Sequence, residues 1–401
     1  MKVAIIGQGY VGLTIALFAA EKNDVIGFDN RGDVIDRLNK GISHIEGVSS
    51  EALKSAISAG RYRATTNPSD LNQAEIIVIA VPTPLDKARK PDLSFIENAC
   101  KSIGENVDHS VLVINESTSF PGTVRNVIKP LIEKYSKISI EHRYSVSPER
   151  VDPGRTDWNQ RNTPRLYAGL TIESNKETKD FYSTFCDNLI EVSSPEVAES
   201  AKLFENTFRQ VNIALVNEFA EIAHALGISV HETLQAAATK PYGFMQFQPS
   251  AGVGGHCIPV DPSYLSFAAM EKGVKATFIE RANEVNLRMP KYIVDRVEKD
   301  NGGSLKNKSV QIVGVAYKPD VADVRETPAE LIFQELRNRG AEVSWHDPLV
   351  SSWNDGSSAA LGNAEIGILV TPHSTLPLAT INSSFKYLFD CSGKISGAKT
   401  L

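Results

Sequence analysis

The sequence predicts an α/β protein in which two Rossmann-like parallel-sheet domains are joined by a central helical domain with a long helix. Three observations support this fold class. Short apolar runs alternate with helical runs in the first third of the chain and again in the last third, which is typical of parallel sheets covered by helices. A glycine motif, 7-GQGYVG-12, directly follows the first apolar run. Between the two regions, residues 195–226 contain no glycine and no further proline after Pro195.

The first third of the chain contains four strand-like runs. Each is short and apolar and leads into a turn or a helical run, the pattern of buried strands in a parallel sheet. The break 82-PTP-84 follows the third run, and 121-PGT-123 follows the fourth, where proline and glycine begin the next helix. We predict strands at 2–6, 24–29, 75–81 and 110–118 and helices at 12–22 and 94–107.

The middle of the chain is expected to be helical. Ser194 and Pro195 fit the N-cap and first position of a helix, and Gly227 fits the position just after its end. At 1.5 Å per residue this helix would be roughly 45 Å long. Such a helix bridges two domains, packs in a dimer or contributes to a core, and these readings stay open for any one residue. Its apolar residues at helical spacing are Phe204, Phe208, Val211, Leu215, Phe219 and Ile222.

The last third repeats the alternation of strands and helices. Its predicted strands lie at 309–317, 341–348, 365–372 and 386–391, and its predicted helix at 328–340 ends on Gly340. Segments of linker composition lie near 190–195 and 298–306. We therefore predict three domains, at 1–194, 195–300 and 301–401.

Composition limits the classes of function. The net charge is −6, so a nucleic-acid partner is not expected, and an anionic ligand must be met by locally placed Lys or Arg. Four cysteines, at positions 100, 186, 257 and 391, lack metal-ligand or disulfide-framework spacing. We expect no metal, no membrane span and a reducing, cytoplasmic compartment. The apolar run at the N-terminus is too short for a signal sequence.

The motif 7-GQGYVG-12 and the acidic residue after the second strand form a dinucleotide-binding fingerprint. Gly7 makes the tight turn, Gly9 lets the backbone approach a pyrophosphate, and Gly12 permits close packing of helix and strand. Asp29 would accept hydrogen bonds from ribose hydroxyls and repel a 2′-phosphate, which favours NAD over NADP. Arg31, two residues further on, weakens that preference. The alternative is a glycine turn without a ligand. The cofactor contacts predicted here are Gly7, Gly9, Tyr10, Val11, Gly12 and Asp29.

The loops after the later strands should face the same cleft, because ligands bind at the carboxyl ends of parallel strands. Pro82 and Thr83 lie in one of these loops, and Ser117 and Thr118 lie in the other. We expect all four near the cofactor. Thr118 could hold a water molecule or the nicotinamide, although a hydroxyl before a helix is equally often a cap.

Two further groups of polar residues are candidates for chemistry. Lys202 and Asn206 are four residues apart on the long helix and so share a face, which in isolation also fits a solvated surface. The loop 252-GVGGHCIPVDP-262 places Cys257 among glycines and prolines. A free thiol needs a positive or hydrogen-bonding neighbour to react. His256 is adjacent in sequence, but Lys202 is the better candidate if the long helix faces this loop. On these residues alone, Cys257 is either a nucleophile or a residue packed in a turn.

The whole chain resembles the nucleotide-sugar 6-dehydrogenase family, which includes UDP-glucose, UDP-N-acetylhexosamine and GDP-mannose dehydrogenases. The resemblance rests on a series of motifs in order, of which the cysteine loop is the most specific. The motifs are 7-GQGYVG-12, 81-VPTP-84, 91-PDLS-94, 117-STSFPGT-123, 147-SPERVDPG-154, 199-ESAKLFEN-206, 252-GVGGHCIPVDP-262 and 316-AYKPDVADVRETPA-329.

The resemblance implies an NAD-binding domain, a central domain built round a dimerising helix, and a C-terminal domain for the UDP half of the substrate. The implied reaction oxidises the sugar C6 alcohol to a carboxylate with two NAD⁺ and one water. Cys257 would form a thiohemiacetal and then a thioester, and a homodimer or higher homo-oligomer is expected. A simple two-electron dehydrogenase and a non-catalytic nucleotide-sensing protein are the alternatives.

The resemblance also implies roles for individual residues. Lys202 and Asn206 would stabilise the developing oxyanion, Asp261 and Thr118 would handle protons with an ordered water, and Glu149 would serve the hydrolytic step. Arg325 matches a residue that meets the cofactor, either in the same subunit or across a subunit boundary. The implied substrate contacts are Glu149, Arg150, Lys202, Asn206, Gly254, Tyr317 and Lys318.

Two departures from the family pattern affect these expectations. Glucose-oxidising members carry a second glutamate where this chain has Pro153, beside Asp152, and many members carry an arginine where it has Ser392. The stretch 238–265 looks most like the branch that oxidises UDP-N-acetylglucosamine. We therefore expect UDP-N-acetylglucosamine as substrate, then UDP-N-acetylmannosamine, then UDP-glucose.

Overall fold

The computed structural model describes residues 1–45, 47–151 and 157–401. The chain divides into two compact units. The first comprises Met1–Glu205 and Ser263–Lys272, and the second comprises Asn206–Pro262 and Gly273–Leu401. The three-domain division at 194 and 300 stays a prediction.

The first unit is built on an eight-stranded sheet in the order β3-β2-β1-β4-β5-β6-β7-β8. All neighbouring pairs are parallel except β6 and β7, which are antiparallel. The strands are β1 (Lys2–Ile6), β2 (Asp24–Phe28), β3 (Tyr62–Thr65), β4 (Ile76–Ile79), β5 (Leu112–Asn115), β6 (Arg143–Val146), β7 (Arg165–Gly169) and β8 (Leu189–Glu191).

Helices cover both faces of this sheet. Val3 and Ile5 of β1 belong to one buried cluster, whereas Ala4 and Ile6 belong to another, because successive side chains of a strand point to opposite faces. The two apolar faces explain why the strands read as continuous hydrophobic runs. The helices are α1 (Tyr10–Ala20), α2 (Gly32–Asn39), α3 (Ser50–Ser58), α4 (Ser94–Asn106), α5 (Lys129–Tyr135) and α6 (Ile172–Tyr182), with short turns at Pro68–Gln73 and Val124–Ile128.

The long helix is present as predicted and forms α7 (Pro195–Leu226). The carbonyl of Ser194 accepts the backbone N–H groups of Val197 and Ala198 at 3.1 and 3.3 Å. Gly227 follows the helix with a φ of +72°, a conformation that glycine adopts without strain and that commonly ends a helix.

The second unit contains a five-stranded parallel sheet in the order β10-β9-β13-β14-β15 and a two-stranded hairpin, β11-β12. Its strands are β9 (Ser309–Val313), β10 (Glu342–His346), β11 (Ser352–Trp353), β12 (Gly356–Ser357), β13 (Ile366–Leu369), β14 (Tyr387–Asp390) and β15 (Lys399–Thr400). The remaining helices of the chain are α8 (Val230–Ala238), α9 (Asp261–Glu271), α10 (Thr277–Asp300) and α11 (Pro328–Asn338), with a short turn at Ile381–Ser384.

Several strands are shorter than predicted at their carboxyl ends. The run 309–317 leaves the sheet after Val313 because Gly314 has a φ of +76° and lies against the carbonyl oxygen of Thr371, 2.0 Å from where a Cβ would stand. Strand β5 likewise ends earlier than predicted, at Asn115, so Ser117 and Thr118 lie in a loop. Among the described residues, no helix has the combination of length and apolarity needed to cross a membrane.

Candidate active site

The first unit carries a glycine cradle at the end of β1. Gly7 has a φ of +92°, and a Cβ on Gly12 would stand 1.8 Å from the carbonyl oxygen of Gly7. At Gly9, by contrast, a Cβ would meet no described atom within 4 Å. Among the described residues, no side chain caps the N-terminus of α1 at Gly9. The backbone is thus tight where helix and strand pack and open where a ligand could approach the helix amides.

Asp29 stands at the end of β2, beside this cradle. Its carboxylate accepts the backbone N–H of Gln8 at 2.9 Å and that of Arg31 at 3.0 Å, and the residue is 9% exposed. The Arg31 side chain lies 3.5 Å from the same carboxylate and is 55% exposed. The residues fit NAD: the open cradle suits a pyrophosphate, and a held carboxylate suits the ribose hydroxyls.

The loop after β5 is tied to the end of β4 and to α7. The Ser117 hydroxyl accepts the N–H of Val81 at 2.9 Å and donates to the carbonyl of Ile79 at 3.3 Å. The next residue, Thr118, accepts a hydrogen bond at Oγ1 from Lys202 Nζ at 2.9 Å. The structure therefore brings together two predicted site residues that are far apart in sequence, and Ser117 holds the loop in which one of them lies.

Glu199 fixes the same loop and was not singled out from the sequence. Its carboxylate accepts the N–H groups of Gly122 and Val124 at 2.6 and 3.1 Å and the hydroxyl of Ser119 at 3.2 Å. Burial raises the pKa of Glu199 to about 7. Its position one helical turn before Lys202 was the available signal, because residues three apart share a helix face.

Glu149 and Arg150 follow β6. Glu149 is 9% exposed, and its Oε1 accepts the amide of Gln160 at 3.3 Å. Arg150 forms a two-pronged ion pair with Glu205, with N–O distances of 3.0 and 2.5 Å. The predicted contact of Arg150 with substrate stays a prediction. Asp152 and Pro153 lie outside the described residues.

In the second unit, Asn206 and Asp261 form a hydrogen-bonded pair. Asn206 Nδ2 donates to Asp261 Oδ2 at 2.6 Å, and Asp261 is fully buried. Both residues were predicted site residues, and the short bond fits a charge-assisted donor–acceptor contact. Whether Lys202 meets Cys257 stays a prediction.

Cys257 lies at the turn that leads into α9. Its carbonyl accepts the N–H groups of Val260 and Asp261 at 3.1 and 2.8 Å. Cys257 forms no disulfide and is partly buried, whereas Cys100, Cys186 and Cys391 are buried. Of the four cysteines, Cys257 is therefore the one that a reagent or substrate can reach.

The glycines around Cys257 pack against the second unit itself. A Cβ on Gly254 would stand 2.8 Å from Tyr317 Cβ, and one on Gly255 would stand 2.7 Å from the Tyr317 ring. Gly252 and Gly255 have φ values of +132° and +81°, a conformation that glycine adopts without strain. Tyr317 occupies the space beside Gly254 and Gly255. This packing brings the predicted substrate contact Tyr317 into the cysteine loop.

The remaining predicted contacts lie on the loops of the C-terminal sheet. Arg325 is held by Asp323, with Nε 3.0 Å from each carboxylate oxygen, and its carbonyl accepts the N–H of Gly255 at 3.0 Å. Lys318 is half-buried. Ser392, which stands where family members carry arginine, donates its hydroxyl to Asp390 at 2.6 Å.

Three family models of the UDP-glucose/GDP-mannose dehydrogenase family match the chain in order. They are the NAD binding domain at residues 1–186, the central domain at 196–288 and the UDP binding domain at 311–392. Together they span most of the sequence, including every motif described above.

Individual relatives support the same family. A UDP-N-acetyl-D-mannosamine dehydrogenase of Pyrococcus horikoshii is 35% identical over 383 residues, covering 93% of this chain and 90% of the relative. A UDP-N-acetyl-D-glucosamine 6-dehydrogenase of Pseudomonas aeruginosa is 35% identical over 361 residues, covering 88% and 84%.

A solved structure of the UDP-N-acetylmannosamine dehydrogenase from Pyrococcus horikoshii superposes with a TM-score of 0.90 at 31% identity. The match covers 100% of this chain and 97% of the other. The fold, the glycine cradle that fits NAD and the similarity to these relatives all indicate the same family. The chain belongs to the UDP-glucose/GDP-mannose dehydrogenase family of NAD-dependent oxidoreductases.

Proposed function

We propose that the protein oxidises the C6 hydroxyl of a UDP-N-acetylhexosamine to the uronate, in a four-electron reaction through Cys257. The observation that carries this proposal is the accessibility of Cys257, since the other three cysteines are buried. A simple two-electron alcohol oxidation needs no thiol, whereas oxidation of an aldehyde to an acid is assisted by a covalent sulfur adduct.

NAD, when bound at the cradle of Gly7, Gly9 and Gly12, accepts the hydrides, two per sugar. The chain's own residues supply the nucleophile and the groups that handle protons. The Cys257 thiolate adds to the C6 aldehyde and forms a C–S bond, which keeps the reactive aldehyde from escaping. After the second oxidation the carbon is a thioester. Water then attacks that carbon, the C–S bond breaks, and the thiolate returns to Cys257 as the uronate leaves.

The polar pairs on α7 provide the electrostatic support for this chemistry. Lys202 and Asn206 are donors that would stabilise the developing oxyanion. Asp261 and Thr118 accept hydrogen bonds from these two donors, which suits them to hold and move protons during the two oxidations. We assign the activation of the hydrolytic water to Glu149.

UDP-N-acetylglucosamine is the first candidate substrate. The stretch 238–265 favours it, and a relative of that name is 35% identical. UDP-N-acetylmannosamine is the second, because an equally similar relative carries that name. Initial rates of NADH formation with UDP-glucose, both UDP-N-acetylhexosamines and GDP-mannose test the proposal. A clear preference for either N-acetylated sugar supports it, whereas a preference for UDP-glucose or GDP-mannose overturns the substrate assignment.

We also propose a homodimer that forms through α7. Large apolar side chains recur along one face of the helix in the second unit and are exposed. The exposed fractions are 43% at Phe208, 61% at Leu215, 49% at Ile222 and 67% at Leu226. The spacings between these residues, seven, seven and four, are typical of a helix that packs on another helix. The need for a reduced Cys257 places the enzyme in a reducing compartment, which we propose is the cytoplasm.

A further inference from the structure

A buried polar cluster lies behind Glu149 in the first unit. It comprises residues from β7, α6 and the loops after β5 and β6, and all of them are at most 5% exposed. The members are Glu116, Ser147, Gln160, Arg165 and Tyr182. None of them was predicted from the sequence as a site residue. Polar groups this deeply buried are costly unless they are paired, so each is expected to have a partner.

The centre of the cluster is an ion pair between Arg165 and Glu116. Arg165 Nη1 lies 2.9 Å from Glu116 Oε2, and the two side chains are 4% and 0% exposed. Tyr182 donates its hydroxyl to Glu116, and the Arg165 guanidinium stacks on the Tyr182 ring at 4.5 Å. Burial disfavours the charge on Arg165, but the neighbouring Glu116, Tyr182 and Cys186 together outweigh burial and raise the pKa of Arg165. The guanidinium is therefore a fixed positive charge.

Arg165 reaches two further groups beside the Glu149 loop. Its Nη1 donates to the Ser147 hydroxyl at 3.1 Å, and its Nη2 donates to Gln160 Oε1. A guanidinium can only donate, so it fixes the orientation of the Gln160 amide. The carboxamide oxygen must face Arg165, and the NH2 group must point away from it. That NH2 group donates to Glu149 Oε1 at 3.3 Å.

Two hydrogen-bond donors thus hold the Glu149 carboxylate through the same oxygen. Oε1 accepts both the Gln160 amide and the backbone N–H of Val151. Two donors on one oxygen fix the plane of a carboxylate, which is otherwise free to rotate. The position of the second oxygen, Oε2, follows from that plane.

We propose that Gln160 is a positioning residue for the hydrolytic step, which transmits the fixed orientation of Arg165 to the Glu149 carboxylate. The inference rests on the proposed role of Glu149 as the group that takes a proton from the attacking water. A general base must lie within hydrogen-bond reach of that proton, and an error of about 1 Å costs roughly a hundredfold in rate. Gln160 touches neither substrate nor cofactor in this account.

The test uses variants that change Gln160 with little change in volume. Gln160→Glu keeps the acceptor for Arg165 but replaces the NH2 donor by a second carboxylate oxygen facing Glu149. Gln160→Met removes both polar groups and serves if the glutamate variant folds poorly. Asn162→Asp is the matched control, because Asn162 lies in the same segment, is exposed and bonds only to Asp157 and Asn159 among the contacts described. Glu149→Gln is the reference variant.

The expected effect is selective loss of thioester hydrolysis. In Gln160→Glu and Gln160→Met, the first burst of NADH should form at the normal rate, and steady-state kcat should fall roughly tenfold or more. KM for the UDP-sugar should fall by the same factor, so that kcat/KM is unchanged, because the slowed step follows the irreversible oxidations. Mass spectrometry of rapidly quenched enzyme should find the acyl group on Cys257. Asn162→Asp should behave as the unaltered enzyme.

The outcomes separate the two proposals. If Glu149→Gln hydrolyses the thioester at the normal rate, the proposed role of Glu149 is wrong. If Glu149→Gln accumulates the thioester but both Gln160 variants turn over normally, the role of Gln160 is wrong. A fall in kcat/KM without acyl-enzyme would show that Gln160 serves the fold and not the hydrolytic step.

Discussion

Gly9→Ala should mainly weaken NAD binding, whereas Gly12→Ala should mainly lower stability, although the two residues lie in the same motif. A Cβ at Gly12 would stand 1.8 Å from the Gly7 carbonyl oxygen and 3.0 Å from the Gly7 carbonyl carbon. Carbon and oxygen atoms that are not bonded rarely approach within about 3 Å, so α1 would have to move by roughly 1 Å from β1. A Cβ at Gly9 would meet no described atom within 4 Å.

The magnitudes follow from these distances. Gly12→Ala should lower the free energy of unfolding by about 3 kcal/mol, the upper end of overpacking penalties, which is roughly 6–12 °C in Tm for a unit of this size. Gly9→Ala should cost at most about 1 kcal/mol, the preference of an N-cap for glycine over alanine. It should, however, weaken NAD binding, because losing one hydrogen bond to a charged group costs about 1.5–3 kcal/mol, or roughly 10–150-fold in Kd.

The assay combines differential scanning fluorimetry without ligand and a titration of NAD followed by intrinsic fluorescence. The expected result is a nearly normal Tm with weak NAD binding for Gly9→Ala, and a clearly lowered Tm for Gly12→Ala. If Gly9→Ala bound NAD as tightly as the unaltered protein, the cradle would not be the pyrophosphate site. If Gly12→Ala kept its full Tm, the packing argument would be wrong.

Three further predictions concern α7. Burial raises the pKa of Glu199 to about 7, so the folded state still holds a proton at pH values where the unfolded state has released it. Relative to Glu199→Gln, the free energy of unfolding in urea should therefore fall by up to about 3 kcal/mol from pH 5 to pH 8. Parallel pH profiles for the two proteins would contradict this. Asn206→Ala should lower kcat about 10²–10³-fold, as for loss of an oxyanion donor, with NAD affinity unchanged; a kcat within threefold of normal refutes the assignment. Leu215→Glu should sediment as a monomer at micromolar concentration, because it places a charge on the exposed apolar face of α7. The control variant His224→Glu, at an exposed position of the same helix, should stay dimeric. A dimeric Leu215→Glu would show that the interface lies elsewhere.

The fold could be predicted from the sequence because it depends on local patterns. The limits of α7 follow from Pro195 and Gly227, and the residues of the NAD cradle follow from the spacing of Gly7 and Asp29. Strand ends were overestimated, because an apolar run does not show where the backbone turns. The turn at Gly314, for example, depends on its contact with Thr371.

The supporting residues of the site could not be predicted in this way. Glu199 bonds to Gly122, 77 residues away, and Arg165 to Glu116. No short motif marks such contacts, because they depend on which loops the sheet brings together. The ion pair of Arg150 with Glu205 is another such contact that no motif marks, and the predicted contact of Arg150 with substrate stays a prediction.

The central claim is that one enzyme carries out two successive oxidations through Cys257. The most direct measurement counts NADH formed per uronate produced, with limiting UDP-N-acetylglucosamine or UDP-N-acetylmannosamine, for the unaltered enzyme and for Cys257→Ala. We predict two NADH per uronate, and loss of uronate formation in the variant while NAD binding is retained. One NADH per sugar, or uronate formed at the normal rate by Cys257→Ala, would contradict the account.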